Sequence, residues 1–124
     1  TQGDIPKSPI FFFYRLALIP FWYHNWAMRI VAITTLQAFW EKHPDAKAPL
    51  QAWYALASRA GWKSPSDIKA AYRHASFIAN ERVVFNIKGN DYRLVVLVRY
   101  GQGLMFIRFV GSHSQYNKID VSII

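Results

Sequence analysis

Residues 82–116 read RVVFNIKGNDYRLVVLVRYGQGLMFIRFVGSHSQY, and they contain the clearest secondary-structure signals in the chain. Runs rich in Val, Ile, Leu and aromatic residues are typical of strands, and they cover Arg82–Ile87, Tyr92–Tyr100 and Leu104–Val110. The breakers between them, Lys88–Asp91 and Gly101–Gly103, contain Gly or Asn, which tolerate the positive φ of hairpin turns. The stretch therefore predicts an antiparallel meander of three strands, which a short polar tail over Gly111–Asn117 then leaves.

The meander carries an excess of cations. Between Arg82 and Lys118 six cations are opposed by one acid, so this segment has a net charge of +5. Because side chains alternate along a strand, the second run has two different faces. One is a mixed face of Arg93, Val95, Leu97 and Arg99. The other is an apolar face of Tyr92, Leu94, Val96, Val98 and Tyr100. We expect the apolar face to pack against the core. Arg108 lies among apolar residues of the third run, where a cation needs a partner or a ligand. A solvated sheet face or a salt bridge would satisfy these cations as well as a bound anion would.

Helices are predicted before the meander. A β-rich run, Arg29–Ile33, predicts a first strand, and the helical spacing of Leu36, Phe39 and Trp40 predicts a helix that starts near Thr34 and breaks at Pro44. A second helix is predicted at Ala48–Ala60. A capping box at Ser64–Asp67 predicts a third, short helix at Ser66–Tyr72, and a loop is predicted at Arg73–Glu81. This order predicts an α+β domain with two to three helices packed on one face of an antiparallel sheet.

The first 27 residues differ in composition from the rest. The apolar run Ile10–Tyr23 is interrupted by Arg15 and Pro20, whereas a membrane span needs ~20 consecutive apolar residues, so we expect no stable membrane insertion. We interpret residues 1–27 as an extension outside the domain, either non-native or translated upstream sequence, and residues 28–124 as the domain. The alternative is an interfacial anchor, with the aromatic residues of positions 10–26 at a membrane surface.

Composition favours some classes of protein and excludes others. The chain has 124 residues, enough for one domain, and its net charge of +8 favours an anionic partner such as RNA, DNA, a membrane surface or an acidic protein. It has no Cys, its four His lack ligand spacing, and it contains neither GxxxxGK[ST] nor GxGxxG, so we expect no metal and no cofactor. The few acids argue against paired-carboxylate hydrolysis and against a multi-acid magnesium site.

Metal-free cleavage of RNA is compatible with the residues that remain. Attack of a 2′-OH on the adjacent phosphate needs a base, an acid for the leaving 5′-oxygen, and cations for the charge that develops. His113 and Tyr116 lie three residues apart after the last predicted strand, in a segment that holds several Arg. Histidine, with an ordinary pKa of ~6.5, can serve as acid or base near neutral pH. A surface His and a packed Tyr would give the same short pattern without a catalytic role.

At these residues the chain resembles the HigB-type toxins of bacterial type II toxin–antitoxin systems, which are relatives of the RelE toxins. The shared pattern is FNI-x-GN-x-YRL at residues 85–94, followed by F-x-R-F-[IV]-G-[TS]-H-x-x-Y at residues 106–116. The resemblance extends from Met28 to the C-terminus. The chain departs from the family at Ser112, where Thr is common, and at Asn117, where Asp is common, so an acid that orients His113 is not carried over.

The resemblance implies a small RelE-like toxin of the cytoplasm that cleaves mRNA on the translating ribosome. It also implies a partner antitoxin, HigA-like and with a helix-turn-helix domain, through which the complex binds operator DNA. The matching positions imply catalytic roles for His113, Arg108, Arg93 and Tyr116, and turn-forming roles for Asn86, Gly89 and Asn90. Candidate RNA contacts are Lys88, Asn90, Arg99, Arg73 and Lys118.

Two other classes of function stay open on the sequence. A non-catalytic basic module would bind RNA or the ribosome through the same charges, and a membrane-surface protein would use the aromatic residues of positions 10–26. A binding module protects RNA whereas a toxin cuts it, and removal of residues 1–27 tests the membrane alternative.

Overall fold

The computed structural model describes residues 28–124, which fold as one strand, three helices, four strands and a last helical turn. The elements are β1 Arg29–Val31, α1 Ile33–Lys42, α2 Lys47–Ala60, α3 Pro65–Ala71, β2 Ser76–Ile78, β3 Arg82–Ile87, β4 Tyr92–Arg99, β5 Leu104–Ser112 and α4 His113–Tyr116. Single 3₁₀ turns at Pro44–Ala46 and Tyr100–Gln102 join α1 to α2 and β4 to β5. The predicted α+β class is confirmed.

One mixed sheet of five strands organises the described residues, in the order β1-β5-β4-β3-β2. The predicted meander is confirmed, since β3 pairs with β4 and β4 with β5, both antiparallel. At the first turn Lys88 and Gly89 have φ of 54° and 63°, which accounts for the glycine there. Strand β1 pairs with β5 in parallel and closes one edge of the sheet.

The sequence interpretation was wrong at three places. The segment Arg73–Glu81 is not a loop throughout, because Ser76–Ile78 pairs with β3 as β2, a strand too short for propensity to reveal. The chain does not leave the sheet at Gly111, because β5 continues to Ser112 and a helical turn follows. No capping box forms at α3: the Ser64 hydroxyl caps nothing, and Asp67 accepts from the Lys63 backbone N–H at 2.9 Å instead.

The core lies between the helices and one face of the sheet. Leu94, Val96 and Val98 on β4 are fully buried, which confirms the predicted core face of that strand. Trp53 of α2 and Phe85 of β3 meet edge to face with ring centroids 5.4 Å apart. Within α2 the side chains of Leu50, Trp53 and Ala57 are buried, whereas Leu56 is 41% exposed.

The opposite side of the sheet is the basic face, which we define as Arg82, Val84 and Asn86 of β3 and Arg93, Val95, Leu97 and Arg99 of β4. Val84 and Val95 are cross-strand partners on this face, and they are buried outside the main core. The segment that follows α4 crosses this face, because Arg82 donates to the Ile124 backbone oxygen and Asn80 donates to that of Ser122. The basic face thus has a small apolar centre with cations around it.

Among residues 28–124 no helix is long and apolar enough to cross a membrane. The interpretations of residues 1–27, as an extension or as an interfacial anchor, lie outside the described residues. Residues 28–45 form part of the folded unit, since Met28 and Leu36 are buried in the core and β1 pairs with β5.

Candidate RNA-cleavage site

The end of β5 places His113 beside the start of β4. Ser112 accepts a hydrogen bond from the Gln115 backbone N–H at 3.2 Å, and the Gln115 side chain accepts from the Ser112 N–H at 2.8 Å. This reciprocal cap fixes α4 directly after the strand, with His113 as its first residue. The His113 backbone N–H donates to the Asp91 carbonyl at 3.3 Å, so His113 continues the pairing of β5 with β4. Its imidazole is exposed and has no hydrogen-bond partner among the described residues.

A row of three residues crosses the sheet next to this histidine. Gly111 of β5, Arg93 of β4 and Asn86 of β3 are cross-strand neighbours. Arg93 is half-buried, and its Nη1 donates to the Asn90 and Tyr92 carbonyls at 3.1 and 3.3 Å. The guanidinium is therefore held near the β3–β4 turn, and no other hydrogen bond within residues 28–124 engages its remaining N–H groups, which can bind an anion.

Gly111 is required by close packing rather than by a turn. A Cβ at this position would lie 2.6 Å from the Phe109 ring and 2.7 Å from the Gln115 side-chain oxygen. The absence of a side chain at Gly111 lets the Gln115 amide reach the cap that positions His113.

Arg108 occupies a β-bulge. The pairs Val95–Phe109 and Val96–Ile107 flank it, so β5 has one residue more than β4 at this point and Arg108 has no partner on β4. The side chain is exposed and forms no ion pair or hydrogen bond within residues 28–124. The bulge explains how an apolar strand accommodates a cation: the extra residue is turned to solvent. Bulges often re-aim a side chain next to a functional site.

The other residues predicted from the sequence to act in catalysis or RNA binding lie in three different places. Tyr116, half-buried, ends α4, and Lys118 is exposed just beyond it. Arg73 and Asn90 line one cleft of about 490 Å³ between the residues that follow α3 and the β3–β4 turn. Arg99 is bound to Glu81 at 2.7 Å, and it lies six residues beyond Arg93, about 20 Å at the usual rise per residue. The structure therefore separates Arg99 from the group that surrounds His113.

A polar cluster beside the site has no clear signal in the sequence. The Tyr92 hydroxyl donates to the Asp45 carboxylate at 2.6 Å, and Lys88 lies 3.3 Å from Asp45 and 3.0 Å from Asp91. The His43 ring stacks on Phe39, with centroids 4.3 Å apart. Asp45 and Tyr92 are 47 positions apart, so only the fold could bring them together.

Hydrogen bonds and charge in this cluster shift three pKa values. The Tyr92 hydroxyl, followed by Lys88, lowers the pKa of Asp45. Hydrogen bonds to Asp91 and Asp45 raise the pKa of Lys88, and the bond to Asp45 raises the pKa of Tyr92. Lys88 is therefore a cation engaged by two carboxylates, and an RNA phosphate would have to compete with both for it.

The site contains cations, an imidazole and a phenol, and the two carboxylates beside it, Asp45 and Asp91, both contact Lys88. Within residues 28–124 no group of three or more His, Asp or Glu side chains could hold a metal ion. These residue types can supply proton transfer and anion stabilisation to a phosphodiester.

The mixed sheet, with helices on one face and the basic face on the other, is an α+β architecture consistent with the RelE-like fold. The model of the HigB toxin family, described as the RelE-like toxic component of a toxin–antitoxin system, matches residues 46–119, more than half of the chain. The chain belongs to this family, and membership implies a partner antitoxin.

Similar curated proteins carry consistent names. The chain is 27% identical over 92 residues to the mRNA interferase toxin HigB of Escherichia coli K12, a match that covers 73% of this chain and 88% of that protein. The proteins named mRNA interferase HigB from Escherichia coli O157:H7 and Shigella flexneri match with the same identity and coverage.

Proposed function

We propose that this chain is an endoribonuclease, an mRNA interferase that cuts mRNA on the translating ribosome and thereby inhibits translation. One observation carries the proposal: the β4–β5 pairing sets the His113 backbone opposite Asp91 and Arg93 opposite Gly111, so an exposed histidine and an arginine come from nearby positions at one end of the sheet. The names of the similar curated proteins support the same reaction. The protein acts in the cytoplasm, where ribosomes and mRNA are found.

The reaction proceeds without a metal ion in the chemical step. The 2′-oxygen forms a bond to the adjacent phosphorus as its proton leaves, and the bond from phosphorus to the 5′-oxygen breaks as that oxygen gains a proton. His113 performs one of these proton transfers. Arg93 and Arg108 offset the charge that develops on the phosphate oxygens. Tyr116, on the same helical turn as His113, positions the RNA or the imidazole.

The products distinguish this mechanism from metal-dependent hydrolysis. Cleavage should leave a 2′,3′-cyclic phosphate and a 5′-hydroxyl. Primer extension on an mRNA in a purified translation system would locate the cuts. The 3′ fragments should join to an adaptor only after treatment with a 5′-kinase. Fragments that join without the kinase carry 5′-phosphates and would exclude 2′-OH attack even if the protein proved to be a nuclease.

His113→Gln tests the assignment of proton transfer. Loss of a general acid or base should lower the single-turnover cleavage rate on ribosomes by ~10²–10⁴-fold, with ribosome association retained. The exposed side chain has no hydrogen-bond partner within residues 28–124, so thermal stability should be unchanged. Normal cleavage per folded molecule would show that His113 has no catalytic role and would favour a different residue or a non-catalytic ribosome-binding module.

The partner antitoxin is proposed to be HigA-like, with a helix-turn-helix domain that carries the complex to operator DNA. The chain's net charge of +8 suits an acidic partner surface as well as RNA. Co-expression with a HigA-like antitoxin from the same genome should abolish growth arrest, and only the complex should retard operator DNA. Retardation by the toxin alone at physiological salt would contradict this arrangement.

A further inference from the structure

The cleft that contains Arg73 and Asn90 lies along an open stretch of β3. Strand β2 pairs only with Arg82, Val83 and Val84, and among the described strands none continues the sheet beyond that point. The cleft volume of about 490 Å³ is within the range of small-ligand pockets, roughly 300–1,000 Å³.

Two asparagines that line the cleft, Asn86 and Asn90, are not explained by the turn that they flank. The positive φ values of that turn fall on Lys88 and Gly89, whereas Asn86 lies within β3 and Asn90 follows the turn. Neither side-chain amide has a hydrogen-bond partner among the described residues. An amide offers a paired donor and acceptor, which is the pattern that recognises the edge of a nucleobase.

The opposite wall of the cleft is held in place before any ligand arrives. Lys69 donates to the Ala75 carbonyl at 2.7 Å, and the Ala75 N–H donates to the Tyr72 carbonyl at 3.0 Å. Tyr72 packs edge-on against Phe85, with ring centroids 5.2 Å apart. These interactions present Arg73 and His74 on a short fixed turn, and a fixed wall reduces the entropy that binding must overcome.

The charge of the cleft favours a phosphate group. Arg73 is exposed and has no ion-pair partner within residues 28–124, and no acidic residue lines the cleft. His74 adds an exposed imidazole next to it.

The cleft adjoins the candidate cleavage site. Asn86 is the cross-strand partner of Arg93, and Arg93 also bonds to the Asn90 carbonyl. From Gly111, beside His113, to Asn86 is a distance of two strand spacings, roughly 10 Å. A single strand of RNA held at Arg93 therefore has the cleft within reach of its neighbouring nucleotide.

We propose that this cleft holds one unpaired nucleotide of the RNA substrate, adjacent to the cleaved bond, with its base against Asn86 and Asn90 and a phosphate beside Arg73. The inference rests on the proposed function and adds a base-reading subsite to it.

The test uses the full chain carrying His113→Gln, so that RNA is not cut. The four nucleoside 5′-monophosphates and inorganic phosphate are titrated separately while backbone amide NMR signals are followed. At least one nucleotide should shift the signals of residues 72–75 and 86–90, at lower concentration than inorganic phosphate does. Asn86→Ala, or Asn90→Ala if the first variant folds poorly, should weaken that nucleotide's affinity by about tenfold.

Two Arg→Gln variants test the role of charge: one changes the cleft, and the other is its matched control outside the cleft. Arg73→Gln should weaken all four nucleotides, whereas Arg29→Gln, an exposed cation on β1 at the opposite edge of the sheet, should weaken none. The inference would be overturned if no nucleotide shifted the amide signals of the cleft residues. It would also be overturned if inorganic phosphate shifted those signals at the same concentration as the nucleotides. If the unchanged protein cleaves mRNA on ribosomes but the cleft binds no nucleotide, the proposed function stands and the nucleotide site is rejected. If the cleft binds a nucleotide but the protein does not cleave mRNA, the nucleotide site stands and the proposed reaction is rejected.

Discussion

Arg93 and Leu94 are neighbours on β4 and face opposite sides of the sheet. Leu94 is fully buried against the helices, whereas Arg93 lies on the basic face between Asn86 and Gly111. The core face is continuous and apolar, so its residues contribute mainly to folding. The basic face instead has three arginines around a small apolar centre, of which Arg82 and Arg93 are half-buried and Arg99 is exposed, so a change to Arg93 should cost less stability than a change to Leu94. The difference predicts that changes on the two faces will separate stability from activity.

The largest effect is expected on the core face. Leu94→Ala removes a side chain with no solvent exposure and should lower the free energy of unfolding by about 2–5 kcal/mol, through reduced burial and the cavity that remains. Cleavage per folded molecule should stay near that of the unchanged protein. Urea denaturation gives the stability, and single-turnover cleavage normalised to folded protein gives the activity. A fall in normalised cleavage as large as that of His113→Gln would break the separation between the two faces.

Gly111→Ala should affect both properties, because it adds a side chain beside the basic face, opposite Arg93, where the cap of α4 is built. The added Cβ would lie within 2.7 Å of both the Phe109 ring and the Gln115 oxygen, and overpacking of this kind costs ~1–3 kcal/mol. Displacement of Gln115 should also lower cleavage by moving His113. Gly101→Ala is the matched control, since a Cβ at Gly101 meets no atom of residues 28–124 within 4 Å. Equal effects of the two changes would show that the packing around Gly111 does not matter.

The sequence predicted the meander well because its signals are local. Gly89 supplies the positive φ of one turn, and alternation along β4 places Leu94 and Arg93 correctly. Strand β2 was missed because three residues carry little intrinsic signal and depend on β3 for pairing. The bulge at Arg108 was missed because it arises from the register between two strands.

The surroundings of the candidate site depended still more on tertiary structure. The sequence motif marks His113, but it does not reveal the bond from Tyr92 to Asp45, which joins residues far apart in the chain. The cleft likewise forms only when the turn after α3 meets the β3–β4 hairpin. The catalytic and RNA-binding roles assigned from the sequence stay predictions.

A moderate effect is expected from the cations of the basic face and its neighbouring bulge. Removal of one cation that pairs with a phosphate should reduce the log–log salt slope of binding to single-stranded RNA by roughly 0.7, so Arg93→Gln combined with Arg108→Gln should flatten it by about 1.4. Affinity for RNA across a salt series measures this, with Arg29→Gln as the charge-matched control. A slope that the double variant leaves unchanged would place the RNA elsewhere than beside Arg93 and Arg108.

The smallest effect is expected from Asp45, which joins the helical layer to the β3–β4 hairpin. Its ion pair with Lys88 is exposed, and exposed pairs contribute little to stability. Because the pKa of Asp45 is lowered from 3.8 in the folded state, ionised Asp45 stabilises the fold above that pH, and the contribution is lost as pH falls through the lowered pKa.

Asp45→Asn keeps an acceptor for Tyr92 and removes the charge. The unchanged protein should therefore be slightly more stable than the variant near neutral pH, and the difference should shrink on acidification below 3.8. Denaturation of both proteins at several pH values measures this difference. A difference that stays constant or grows at low pH would mean that the charge on Asp45 does not help to hold the hairpin beside His113.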